Sequence, residues 1–110
     1  MRVAYIFSTN NAQRILDKMI IPQMLEGRHG VEVAGMMFFF DNTFMLTEGS
    51  ITGEGLQKIH EKYGTLLMAC DMCAIERGID DRLVAGAGIG CFPDLYQALA
   101  GAEIDQVITL

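Results

Sequence analysis

The chain has 110 residues, enough for one domain that buries about two-thirds of its unfolded surface without a disulfide or structural metal. With 51% apolar and 20% charged residues, its composition excludes intrinsic disorder. Fourteen acidic residues against eight basic ones, net −6, argue against a nucleic-acid backbone or an anionic membrane as the main partner, since both require a basic face.

Arg2–Phe7 is a short apolar run rich in β-branched and aromatic residues, and it reads as a strand. Its apolar stretch is too short for a signal-peptide core, which predicts a cytoplasmic protein. Ser8-Thr9-Asn10-Asn11 supplies helix-capping residues. A helix over Ala12–Leu25 follows, and Pro22 should kink it or end its first part near Ile20 or Ile21. Gly27 and Gly30 mark the exit turn. Val31–Phe40 is apolar almost throughout, as in a strand buried on both faces. Asp41–Thr52 reads as a loop, with Phe44, Met45 and Leu46 inside it. Gly55–Tyr63 is a short amphipathic helix, Thr65–Cys70 a third strand, and Asp71–Arg77 a helix closed by Gly78. Leu83–Ile89 is the fourth strand, Pro93–Ala100 the last helix and Gln106–Leu110 the last strand. Strands alternating with helices predict a three-layer α/β/α domain over residues 1–110, with a mostly parallel five-stranded sheet.

Ligands of open parallel sheets bind outside the carboxyl ends of the strands. Ser8, Asn10 and Asn11 follow strand one, and Asp41 and Asn42 follow strand two. Cys70 ends strand three, with Asp71 and Cys73 in the next turn, and Cys91 follows strand four. All three cysteines therefore fall at one edge. At a helix N-terminus the Cys70 thiol faces unpaired N–H groups and a positive dipole end, which favour the thiolate nucleophile. Asp71 beside it works in the opposite sense. Cys70-x-x-Cys73 lacks a second cysteine pair, so no zinc site is expected, and His29 and His60 read as solvated surface residues rather than ligands. The motif also lacks the aromatic-Cys-Gly-Pro setting of thioredoxin-type redox sites. Gly86-Ala87-Gly88-Ile89-Gly90 is not a dinucleotide fingerprint and reads as a strand approached closely by a neighbour. No cofactor or metal is expected.

The opening strand, Phe38-Phe39-Phe40 with Asp41-Asn42-Thr43, the block Leu66-Leu67-Met68-Ala69-Cys70, the following Arg77-Gly78-Ile79, and the close Asp105–Leu110 together resemble the DsrE/DsrF/DsrH-like sulfur-relay family. The resemblance spans essentially the whole chain, and the spacing from the cysteine to Arg-Gly-Ile is its most specific element. It implies that Cys70 holds sulfur as a persulfide and passes it to a partner thiol. Sulfur-donor and sulfur-acceptor proteins with reactive cysteines would then be the partners. It also implies a homo-oligomer, a trimer or hexamer. Cys73 and Cys91 depart from the single-cysteine pattern of relay members. A dithiol redox protein using Cys70 with either of them, and a non-enzymatic small-ligand module, stay open beside the sulfur carrier. The apolar arc Met19, Ile20, Ile21, Met24 and Leu25, with the apolar loop Phe44–Leu46, is expected to serve subunit contact.

Overall fold

The computed structural model describes residues 1–110. Five strands, β1 (Arg2–Phe7), β2 (Glu32–Phe38), β3 (Leu66–Cys70), β4 (Ala87–Gly90) and β5 (Gln106–Thr109), form one sheet in the order β4-β3-β2-β1-β5. Every pairing is parallel. Parallel neighbours need crossover connections, and here the crossovers are helical. The three-layer α/β/α architecture expected from the alternation is therefore present.

The two faces of the sheet are covered unequally. Val3, Tyr5 and Phe7 of β1, Met36 and Phe38 of β2, and Leu67 and Ala69 of β3 alternate onto one face and join a core of 20 buried residues. The helices between β1 and β3 lie over it: α1 (Asn11–Ile15), α2 (Ile21–Leu25) and α3 (Ile51–Tyr63). The opposite face offers Met37, Met68 and Cys70, which join a second cluster of only 6 buried residues with Phe39, Cys73 and Leu95. Leu95 comes from α5 (Phe92–Leu99), and Cys73 from the six-residue helix α4 (Asp71–Glu76). Val107 on this side is 48% exposed, so α5 does not reach across the sheet to β5.

The first helix changes type where Pro22 was expected to interrupt it: α1 passes through a π turn, Leu16–Ile20, into α2 at Ile21, with helical dihedrals at both junctions. The wider turn accommodates the hydrogen bond that a proline cannot donate. The expected loop Asp41–Thr52 is mostly ordered structure. Phe40–Leu46 is a 3₁₀ helix, and α3 starts at Ile51, four residues before the expected Gly55. Ser50 caps α3 by accepting the Gly53 N–H at 2.9 Å. The fourth strand is shorter than expected. Leu83 makes a lone antiparallel bridge to Thr47, and Gly86 turns the chain at φ 91° before β4 begins. Both expected apolar contact surfaces turn inward: Ile20, Ile21, Met24, Met45 and Leu46 are buried within this chain, leaving only Met19 and Phe44 about half exposed.

Candidate functional site

β3 ends at Cys70, where the chain turns directly into α4. Cys70 is the N-cap of that helix, and its Sγ accepts the Cys73 N–H at 3.4 Å. The expected helix-end contact is thus made, but its consequence for the thiol is not the expected one. Burial pushes the Cys70 thiol up; its pairing with the Cys73 thiol and the charges of Cys73 and Asp71 push the same way. The backbone N–H alone pulls it down. With Cys70 only 6% exposed, desolvation of a thiolate outweighs one N–H of a short helix. The alkylation rate of Cys70 should therefore keep rising with pH above the ordinary thiol pKa of about 8.5, because the thiolate fraction at neutral pH is below that of free cysteine. A plateau below that value in a rate–pH profile would contradict the burial account.

Cys73 is 4% exposed and shares the apolar cluster with Cys70. Both side chains rest beside Phe39, whose ring stacks on Phe92 at 5.4 Å between centroids. Phe92 in turn lies 6.1 Å from Tyr96, and Phe39 lies 6.2 Å from Phe40. An aromatic row therefore runs along the cysteine edge, with Phe40, Phe92 and Tyr96 largely in solvent. Phe40 holds φ at 56°, an unusual value for a bulky residue. This φ marks the bend from β2 into the 3₁₀ helix. Cys91 follows Gly90, the β4 residue in register with Cys70, and is partly exposed.

Asp41 joins this edge through Arg77, whose Nε donates to the Asp41 carboxylate at 2.8 Å while Nη1 donates to the Cys73 carbonyl at 3.1 Å. Arg77 thus ties the 3₁₀ helix to α4. The Asp71 carboxylate accepts the Met72 N–H at 2.7 Å. Ser8 and Asn10 do not join the cysteines. They follow β1, two strands from β3 and so about 10 Å away. The Ser8 hydroxyl donates to the Leu110 carbonyl, and the Asn10 side chain makes no cap bond. No three His, Cys, Asp or Glu side chains converge as a metal-holding group.

Neither histidine is simply a solvated surface residue. His60 Nδ1 pairs with the Thr65 carbonyl at 2.8 Å. His29 lies between the Gln23 amide oxygen at 3.0 Å and the Tyr5 hydroxyl at 2.9 Å. The amide oxygen can only accept, so Nδ1 carries the proton and the Tyr5 hydroxyl donates to Nε2. The largest concavity, about 630 Å³, opens beside His29 at the amino ends of β1 and β2, away from the cysteines.

No family model matches the chain, and no curated protein matches it by sequence. Solved structures do. The YchN protein of E. coli superposes with a TM-score of 0.70 at 17% identity, covering 99% of this chain and 97% of that one. MTH1491 of Methanobacterium thermoautotrophicum, a protein of unknown function, gives a TM-score of 0.70 at 14% identity and covers 99% and 98% of the two chains. BT1422 of Bacteroides thetaiotaomicron, also of unknown function, gives 0.67 at 13%, covering 99% and 94%. The chain thus has the DsrE-like α/β fold. At these identities the likeness concerns architecture and leaves the chemistry to the residues themselves. No helix is long and apolar enough to cross a membrane.

Proposed function

We propose that the protein is a sulfur carrier that holds a persulfide on Cys70 and passes sulfur to a partner thiol in a reducing, cytoplasmic compartment. One observation carries this reading: a cysteine at the carboxyl end of a central parallel strand, placed under an apolar roof beside a second thiol. In the transfer, the Cys70 thiolate attacks the outer sulfur of a donor persulfide. The donor S–S bond breaks, the donor leaves as its thiolate, and Cys70 carries the new S–S bond. Sulfur changes hands with no external oxidant. The low exposure of Cys70 suits storage, since attack by free thiols depends on access. The test is retention of sulfane sulfur after exposure to inorganic polysulfide and a brief glutathione wash. Cys70→Ser should retain at least about tenfold less than the wild type, because it removes the thiol at the strand end, and sulfur on the partly exposed Cys91 would be lost to the wash. Equal retention would reject Cys70 as the carrier.

The Cys73 thiol, buried in the same cluster as Cys70 and paired with its side chain, also supports a second reading, a dithiol couple that closes a Cys70–Cys73 disulfide. Its signature is loss of both thiols on mild oxidation, with no sulfur gained.

Donor and acceptor proteins with reactive cysteines are the proposed partners, and the carrier is proposed to be a homo-oligomer, a trimer or hexamer. Exposed Phe40, Phe92 and Tyr96 at the cysteine edge, together with half-exposed Phe44 of the 3₁₀ helix, support an apolar subunit contact. Light scattering over a dilution series should give a multiple of the 12.1 kDa chain mass, and Phe44→Asp should lower it. The single-chain mass at every dilution would remove the oligomer.

A further inference from the structure

Cys73 is a buried nucleophile that storage on Cys70 leaves without a task. It is 4% exposed and belongs, with Cys70, to the cluster of 6 buried residues that Phe39 and Leu95 cover. Three residues of helix separate Cα atoms by about 5 Å, inside the roughly 4.4–6.8 Å span across which two cysteines can be bridged. Local structure holds the pair in this relation. Cys70 caps α4 with its Sγ 3.4 Å from the Cys73 nitrogen, and the Cys73 thiol is paired with the Cys70 side chain. Arg77 fixes the same turn, donating to the Cys73 carbonyl at 3.1 Å while it is held by Asp41. Cys91 is outside this cluster, so Cys73 is the one thiol beside the store.

From this pair we infer that Cys73 is a resolving thiol, which discharges the sulfur stored on Cys70 as hydrosulfide and makes the protein a reductant of sulfane sulfur. The inference rests on the sulfur-carrier reading and sets the lifetime of the stored sulfur. When Cys70 carries a persulfide, the sulfur beside Cys73 is the inner one, Cys70 Sγ. The Cys73 thiolate attacks that atom in the protonated persulfide, the neutral form that an apolar site favours. The bond from Cys70 Sγ to the outer sulfur breaks, the Cys70–Cys73 bond forms, and the outer sulfur leaves with the electron pair as hydrosulfide. The hydrosulfide keeps the persulfide proton, and the proton lost by Cys73 passes to solvent. The outer sulfur is reduced by two electrons while the two cysteines are oxidised to the disulfide. A dithiol reductant restores both thiols for another round. Uncatalysed disulfide rearrangement takes minutes to hours, so sulfur is stored first and discharged when no acceptor takes it.

The test follows the loaded wild-type protein without oxygen, after gel filtration has removed inorganic polysulfide and glutathione. Samples are alkylated at intervals for peptide mapping, and released sulfide is trapped with a bimane reagent. Sulfur on the Cys70 peptide should fall as a Cys70–Cys73 disulfide appears, with one sulfide released per disulfide. That ratio is read on the wild type and needs no variant. Cys73→Ser and Cys73→Ala should each lose their loaded sulfur at least about tenfold more slowly, because neither supplies a thiolate beside Cys70 Sγ. Loaded sulfur that persists in the wild type, or that decays equally fast in all three proteins with Cys73 free in the wild type, would overturn the discharge role alone. No sulfur on Cys70 at the first time point, with or without the disulfide, would overturn the sulfur-carrier reading together with it.

Discussion

Gly53→Ala should destabilise the protein by about 2–3 kcal/mol, the size of effect seen when a close-packed position is overfilled. Helix propensity favours the opposite sign by about 1 kcal/mol, because Gly53 lies in the first turn of α3. Packing decides the outcome. A Cβ at position 53 would lie 2.3 Å from the Thr47 carbonyl oxygen, 2.7 Å from Ser50 Oγ and 3.1 Å from Val84 Cγ1. These neighbours cannot simply swing away. Thr47 pairs with Leu83 in the isolated bridge, and Ser50 Oγ both donates to the Thr47 carbonyl and accepts the Gly53 N–H. A urea titration should show a lower midpoint with an unchanged slope. An alanine variant as stable as the wild type would mean that the close approach of α3 to the 3₁₀ segment is not as described.

Phe39→Ala should cost about 3 kcal/mol and accelerate alkylation of Cys70 at least about tenfold. Phe39 is 9% exposed, stacks on Phe92 and belongs to the cluster that covers both cysteines. That cluster is small, and Leu95 is the only buried residue that α5 contributes to it. Removing the ring takes away a large part of what seats α5. Tenfold faster alkylation needs only about 1.4 kcal/mol of easier local opening, less than the expected cavity cost. Alkylation is read by mass spectrometry at fixed pH, with Phe7→Ala as the comparison. Phe7 lies in the core on the other face of the sheet, so its loss should lower global stability with less effect on Cys70. Equal acceleration in the two variants would show that Cys70 is reached by global unfolding rather than by lifting α5.

The elements that could be read from sequence are those whose local chemistry agrees with their packing. Val3–Phe7 and Leu66–Cys70 are apolar runs bounded by polar or turn residues, and both are strands. Gly64, at φ 72°, ends α3 where Tyr63 was expected to end it. The start of α3 was hidden because Gly53 resembles a loop residue, which made Gly55 the apparent first residue of the helix. Their smallness serves close contacts with Thr47 and Ile21, which no local pattern displays. The order inside Asp41–Thr52 comes from tertiary burial of Met45 and Leu46. At the site, the shared edge of the three cysteines follows from strand ends alone. The bridge from Asp41 through Arg77 to the Cys73 carbonyl does not, since 36 residues separate the two side chains. The aromatic row left a partial signal: Phe92 and Tyr96 are spaced four apart, as on one helix face. The direction in which the Cys70 thiol moves required its burial, which composition does not reveal.

The most direct test of the central claim is a peptide-resolved mass measurement of the wild-type protein after inorganic polysulfide and a brief glutathione wash. The sulfur-carrier account predicts a gain of one sulfur atom on the peptide bearing Cys70, removed by a strong dithiol reductant, with the Cys73 thiol still free. A Cys70–Cys73 disulfide with no sulfur gained would contradict it and establish the dithiol couple instead.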